Sequence, residues 1–214
     1  MKYQSKHEAI LSLCRNKRVL HLGCVGNNDY GTEHKVAASP STLHMKLSAI
    51  ADVTGVDISE DAVAEYRRSG ICNNILVGDV EKLGALDLSP VFDVVVIGDL
   101  IEHLSNPGHM LDGVRAICQP DTMVILTTPH AFGLAPFLRH LVGRFVEGGQ
   151  HVMTFNEKNL RNLVTRHGFR VTESGTCYQE ESINDSAAFA LGKKLFEQFP
   201  QLGGTLFFQL SPRE

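Results

Sequence analysis

The chain has 214 residues, 43% hydrophobic and 21% charged, which is ordinary for a soluble globule and suits one folded domain over 1–214. Twenty-four acidic against twenty basic residues give a net charge of −4, so no global field recommends nucleic acid or an anionic surface as partner. The start is too polar for a secretory signal and no apolar run reaches a membrane span, so a cytoplasmic protein without a transmembrane segment is expected, monomeric or homodimeric.

Taken in order, residues 1–17 carry a helix, from about Ser5 to Asn16, that covers a sheet edge or the mouth of a site. Arg18–Leu22 then reads as a buried parallel strand stopped by Gly23, where backbone without a side chain lets a ligand approach. A polar loop leads to a helix around Leu43, Leu47 and Ile50 with Ser41 as its cap. A second strand ends on Asp57, and Ser59 caps the helix that closes on Gly70. An acid at the carboxyl end of the neighbouring strand can accept both hydroxyls of a ribose. Asp57 lies 34 residues beyond Gly23 and the third glycine of a dinucleotide fingerprint is missing, so NAD is disfavoured.

A third strand ends just before Asp79, and the continuous run Val94–Ile97 marks a fourth, buried on both faces at the sheet centre. A helix from about Pro107 to Cys118 precedes a fifth strand broken by Pro129. The insert 130–150 carries an apolar stripe of Leu134, Phe137, Leu138, Leu141, Val142 and Phe145 with Arg139, His140 and Arg144 between. It is expected to cap the core as a helix, with a substrate lid or a lipid-facing surface as alternatives. Asn156 and Gly168 bound a further helix, followed by a strand near Phe169–Ser174 and a last strand in Gly203–Leu210. Alternating strands and helices predict an α/β, three-layer, doubly wound sheet that is mostly parallel. The cysteines Cys14, Cys24, Cys72, Cys118 and Cys177 are odd in number and widely spaced, which fits small buried hydrophobes.

The ordered set VLHLGCVG, GVDIS, GDVEKL and FDVVVIGDLIEHL, followed by TTPHAFG and HVMTFNEKNLRNLVTRHGF, resembles the class I S-adenosylmethionine-dependent methyltransferases over nearly the whole chain. The resemblance implies a Rossmann-like sheet of seven strands with the last inserted antiparallel between strands five and six. It implies S-adenosylmethionine as cofactor. The turn of His21, Gly23, Cys24 and Gly26 would pack on the methionine part, Asp57 with Ile58 would hold the ribose, Asp79 with Val80 the adenine, and Gly98 with Asp99 would face the sulfonium. Two positions depart from the family: His21 stands where an acid is usual, and Val25 and Asn27 stand where glycines are.

Methyl transfer from a sulfonium needs positioning and sometimes a base, for which His103, His130 and His151 are candidates beyond strands four and five. The pattern Asp99-x-x-Glu102-His103 resembles the metal motif of ubiquinone-biosynthesis O-methyltransferases and small-RNA 2′-O-methyltransferases, with His151 as a further ligand to a divalent ion. The competing structural reading has Asp99 and Glu102 charging the N-terminus of the fourth long helix. The expected activity is methyl transfer to a hydroxyl or amine of a small molecule of sugar, lipid or natural-product type. The alternatives are an RNA methyltransferase, disfavoured for want of a basic surface, and a non-catalytic protein that binds S-adenosylmethionine.

Overall fold

The computed structural model describes residues 5–26, 42–70, 74–88, 91–144, 148–178 and 187–213. In chain order these form α1 (Lys6–Cys14), β1 (Arg18–Leu22), α2 (Leu43–Ser48), β2 (Asp52–Asp57), α3 (Glu60–Arg68) and β3 (Ile75–Val77). After a 3₁₀ turn (Val80–Ala85) come β4 (Val94–Gly98), a second 3₁₀ turn (Ile101–His103), α4 (Pro107–Ile117) and β5 (Met123–Pro129). The chain continues through α5 (Leu134–Leu141), α6 (Glu157–Arg166), β6 (Phe169–Cys177), α7 (Ala187–Gln198), a 3₁₀ turn (Pro200–Leu202) and β7 (Thr205–Pro212).

The strands form one sheet in the order β3-β2-β1-β4-β5-β7-β6. The first five are parallel, and β7 runs antiparallel between β5 and β6. The period-2 alternation of strand side chains divides the core into two layers. Leu20, Leu22, Val95, Ile97, Val124 and Leu126 join Met110 and Leu111 of α4 and Leu160 of α6 on one face. Val19, Val94, Val96 and Ile125 join Ala9 and Ile10 of α1 and Leu47 of α2 on the other. Each such buried aliphatic side chain contributes about 1.5–3 kcal/mol of transfer free energy, so the sheet is anchored from both sides.

The chain reverses its winding at β1, which has β2 on one flank and β4 on the other. Strand order reverses there, and ligands of open α/β sheets bind at the carboxyl ends of such strands. Several sequence expectations change in detail. Ser41 lies outside the described residues, as do Cys72 and Phe145, and α2 is capped by Thr42, whose hydroxyl accepts from the Met45 amide at 3.4 Å. The strand expected near Phe169–Ser174 runs on to Cys177, and α7 had no counterpart in the sequence reading. The insert does form a helix, but none of the side chains of α5 is buried. It therefore does not cap the core: Phe137, Leu138, Leu141 and Val142 of the stripe are exposed and Leu134 is half-buried.

Candidate functional site

A cavity of about 940 Å³ opens at the carboxyl edge of β1, β2 and β4. Its floor begins with Gly23, whose φ of +67° is a left-handed conformation and whose missing Cβ would stand 2.8 Å from Leu100 Cδ1. The left-handed backbone is what calls for glycine, since the Leu100 side chain could shift to admit a Cβ. Gly26, one residue beyond the Val25 that replaces a family glycine, also has positive φ, at +87°.

Asp57 ends β2 and is buried. Its Oδ2 accepts from the Val25 amide and its Oδ1 from the Ser59 amide, both at 3.0 Å, which ties the glycine turn to the next strand. A carboxylate oxygen holds two lone pairs, so each still has capacity toward a ligand. Asp79 caps the following 3₁₀ turn, with Oδ1 accepting from the Glu81 amide at 3.0 Å and Oδ2 2.9 Å from Lys82 Nζ. The Lys82 ammonium, then that amide, hold the Asp79 carboxyl below its usual range.

At the opposite wall the backbone after β4 turns through Asp99, a non-glycine residue at φ +48°. Asp99 is fixed there by its amide donating to the Thr127 carbonyl at 3.0 Å and by Thr127 Oγ1 donating to its Oδ1 at 2.8 Å. Its Oδ2 receives Lys6 Nζ at 2.6 Å. Lys6 opens α1, whose Ser5 cap accepts from Glu8, and its own amide donates to the Tyr178 carbonyl at 2.9 Å. The ammonium is thus buried against the cavity, a residue the sequence reading did not single out.

His21 and His44 are buried side by side, Nδ1 to Nδ1 at 3.3 Å, with one ring donating to the other. Burial, then the neighbouring His44, push His21 well below the usual imidazole range, and burial takes His44 down to about 4. Both rings are therefore neutral at pH 7.

Beyond Asp99 the turn Ile101–His103 carries Glu102, buried with Oε2 accepting from Thr128 Oγ1 at 2.9 Å and Oε1 without a hydrogen-bond partner among the described residues. Burial, then the Asp99 charge, raise its carboxyl to about 8. The Glu102 carbonyl accepts from the Val152 amide at 2.9 Å and the Met153 amide at 3.2 Å, which brings the end of the insert back to the site. His103 Nδ1 donates to the Gln150 carbonyl at 3.3 Å, and its ring meets His151 edge-on with centroids 4.8 Å apart. Burial, then His151, lower the His103 imidazole. Ligand atoms of Glu102, His103 and His151 all lie within 4.8 Å of one another.

The cavity brings together all ten positions that the resemblance assigns to a cofactor: His21, Gly23, Cys24, Gly26, Asp57, Ile58, Asp79, Val80, Gly98 and Asp99. Glu102, His103 and His151 line it too, whereas His130 does not. His130 is buried beyond the end of β5, its Nδ1 donating to the Gly203 carbonyl at 3.0 Å, so it holds the β5–β7 corner and leaves the set of candidate bases. The residues gathered at ligand distance are Glu102, His103 and His151; Asp99, bonded to Lys6 and Thr127, is not among them. The helix-terminus reading of Asp99 and Glu102 also fails: α4 begins at Pro107 with Asn106 as cap, and the two acids bond Lys6 and Thr128 instead.

Comparison with known proteins fits this geometry. A family model described as a methyltransferase domain matches residues 3–174. A ubiquinone biosynthesis O-methyltransferase of Neisseria meningitidis serogroup C (strain 053442) is 28% identical over 118 residues, 53% of this chain and 44% of the relative. The match thus spans less than half the length of that curated relative. Among solved structures, the putative methyltransferase of Haloferax volcanii, in complex with the Trm112 methyltransferase activator, superposes with a TM-score of 0.64 at 16% identity, covering 97% of this chain and 88% of that one. Magnesium protoporphyrin IX methyltransferase of Synechocystis PCC 6803, with SAH bound, gives 0.60 at 16% identity, covering 97% and 82%. At these identities the structural likeness speaks to the fold alone.

Proposed function

The chain belongs to the class I S-adenosylmethionine-dependent methyltransferases, and from that premise we propose that it transfers the methyl group of S-adenosylmethionine to an oxygen of a small molecule. The observation that carries the proposal is the convergence of the Gly23 turn, Asp57, Asp79, Gly98 and the Glu102–His103–His151 cluster on one cavity. In this reading Asp57 takes the ribose hydroxyls and Asp79 with Val80 the adenine. The methionyl end of the cofactor is a zwitterion, and the Lys6–Asp99 ion pair is its complement: the ammonium of Lys6 faces the carboxylate and Asp99 the amine. That pair supplies a charge near the position where His21, neutral and buried, replaces the usual acid.

An oxygen acceptor is favoured over an amine by the likeness to ubiquinone biosynthesis O-methyltransferases. Transfer is an in-line displacement on an already activated methyl group, so the protein's contribution is orientation and exclusion of water. The acceptor hydroxyl must also lose a proton. In this reading His103 takes it at Nε2, a role supported by its bond to the Gln150 carbonyl and by His151 against its ring.

A specific observation favours a divalent cation in the same place. The orphaned Glu102 Oε1 and two imidazoles form a mixed oxygen and nitrogen donor set that fits such an ion. Glu102, His103 and His151 would hold it, and it would supply polarisation of the acceptor hydroxyl. The test of the function is calorimetric binding of S-adenosylmethionine, followed by S-adenosylhomocysteine release over phenol, sugar, lipid and RNA acceptors. Binding with turnover on a hydroxyl compound is expected. Binding without turnover on any acceptor favours the non-catalytic reading, turnover on RNA alone favours an RNA enzyme, and absence of binding overturns the assignment.

A further inference from the structure

Five of the eleven exposed large hydrophobic side chains among the described residues fall between Phe132 and Val142. Phe137 and Leu138 are each 50% exposed, Leu141 70% and Val142 71%, and Phe132 and Val152, at the two ends of the segment, are open as well. Single exposed hydrophobes are ordinary, but a contiguous group marks a surface that meets something. Spacings of three and four residues put Phe137, Leu138 and Leu141 on one side of α5. Around them the charge is one-sided: residues 130–144 contain no Asp or Glu, while Arg139 and Arg144 bracket Leu141 and Val142 in a chain of net charge −4.

The position of the segment adds to this. Pro129, just before it, and Gln150 with His151, just after it, line the cavity. The apolar face therefore sits on a loop that leaves the cavity rim and returns to it. Three occupants compete: a lid over the cavity, a second copy of the chain and an anionic lipid surface. A lid closing on the cavity would meet a rim that mixes Val25, Leu43, Ile58 and Leu100 with Lys6, Asp57, Asp79 and Asp99, and hydrogen exchange without lipid separates it from a bilayer. A two-fold pairing of copies sets the same patch against itself and brings Arg139 and Arg144 toward their own counterparts. An anionic lipid surface satisfies both features, taking the apolar side chains at the acyl boundary and the arginines at the phosphates.

We propose that residues 130–144 dock this protein on an anionic lipid bilayer, with Phe137, Leu138, Leu141 and Val142 inserted and Arg139 and Arg144 at the headgroups. Among the described residues no helix is long and apolar enough to cross a membrane, so the contact is one of lying on the surface. The cavity mouth then faces the bilayer, and the acceptor class it favours is a lipid or a lipid-linked hydroxyl compound. Only this last statement rests on the proposed methyl transfer; the docking itself does not.

The test is co-sedimentation of the full chain with vesicles of phosphatidylcholine, alone and mixed with phosphatidylglycerol. Binding to the mixed vesicles alone, weakened by added salt, is expected. Arg139→Gln and Arg144→Gln should each lower the partition coefficient by about fivefold, and Leu141→Asp by about tenfold or more. All three side chains are exposed, so the variants should keep the parent melting temperature and cofactor affinity. Equal binding of parent and variants, or none by any of them, overturns the proposal. A concentration-dependent dimer abolished by Leu141→Asp, without vesicle binding, assigns the face to a second copy and overturns it. So does strong hydrogen-exchange protection of 130–144 by S-adenosylhomocysteine in the absence of lipid, which marks a lid. Calorimetric cofactor binding is read on the same samples, so loss of docking and loss of the methyltransferase reading are separate results.

Discussion

Lys6 Nζ lies 2.6 Å from Asp99 Oδ2, joining residues 93 positions apart in the chain, and both side chains are largely withdrawn from water at the cavity wall. The pair fastens the first helix to the turn after β4, so the proposed site includes an element that comes before the glycine turn. Lys6→Met keeps the aliphatic stem and removes the charge. It should weaken S-adenosylmethionine binding by about tenfold, the order of one charge-assisted hydrogen bond. Calorimetry with S-adenosylmethionine and with adenosine separates the outcomes: adenosine, which lacks the zwitterion, should bind parent and variant alike. An equal loss for both ligands would show that Lys6 acts only through the fold.

Asp57 carries two duties, orienting the Val25 and Ser59 amides and, in our proposal, holding the ribose. Asp57→Ala should therefore lower both stability and cofactor affinity, the latter by about 2–3 kcal/mol. Asp57→Asn retains one oxygen acceptor, so it should melt closer to the parent than the alanine variant while still binding the cofactor weakly. Thermal melts and calorimetry on the two variants check this. An asparagine variant with parental affinity would remove Asp57 from the site.

The Glu102, His103 and His151 cluster predicts a metal dependence. Chelator should abolish turnover and leave cofactor affinity nearly intact, and Mg²⁺ or Mn²⁺ should restore the rate. Full activity in chelator would leave His103 as an unaided base. His103→Gln should then lose turnover by about 100-fold, while His130→Gln should affect stability rather than rate, since His130 serves the Gly203 carbonyl.

The His21–His44 pair makes stability depend on pH. Both imidazoles are neutral in the fold and titrate near 6.5 when unfolded, so the unfolded chain takes up protons first as the pH drops. Their contribution is present above about pH 6.5 and is lost as the pH falls toward His44's folded value of about 4. For His44 alone the loss amounts to about 3 kcal/mol. Charges that bear on the pair include Lys6 and His7, and Lys46 lies 3.0 Å from His7. Urea melts between pH 4 and 7 should show a shallower slope for His44→Gln than for the parent.

Much of the scaffold was legible because its signals are local. Apolar runs at Arg18–Leu22, Val53–Asp57 and Val94–Ile97, ended by glycine or aspartate, gave strands whose carboxyl ends carry Gly23, Asp57 and Asp99. The insertion of β7 between β5 and β6 came from the resemblance and agrees with the sheet order. Lys6 was not legible, since a lysine in the first turn of a polar helix reads as solvated until the helix is docked against β6 and β4. The apolar stripe of α5 misled for the same reason: periodicity reports an amphipathic face and says nothing of what covers it. In α7, Gly192 and a lysine pair interrupt the pattern that would have marked a helix.

The placement of β7 also sets a timetable. In the sheet, β6 has β7 as its strand neighbour. On the ribosome, therefore, β6 waits unpaired until residues 205–212 have emerged. Tyr178, at the end of β6, in turn receives the backbone of Ser5 and Lys6. Ser5 and Lys6 thus find their final seat only after β7 has been added, and the Lys6 wall of the cavity closes only once residues 205–212 have emerged.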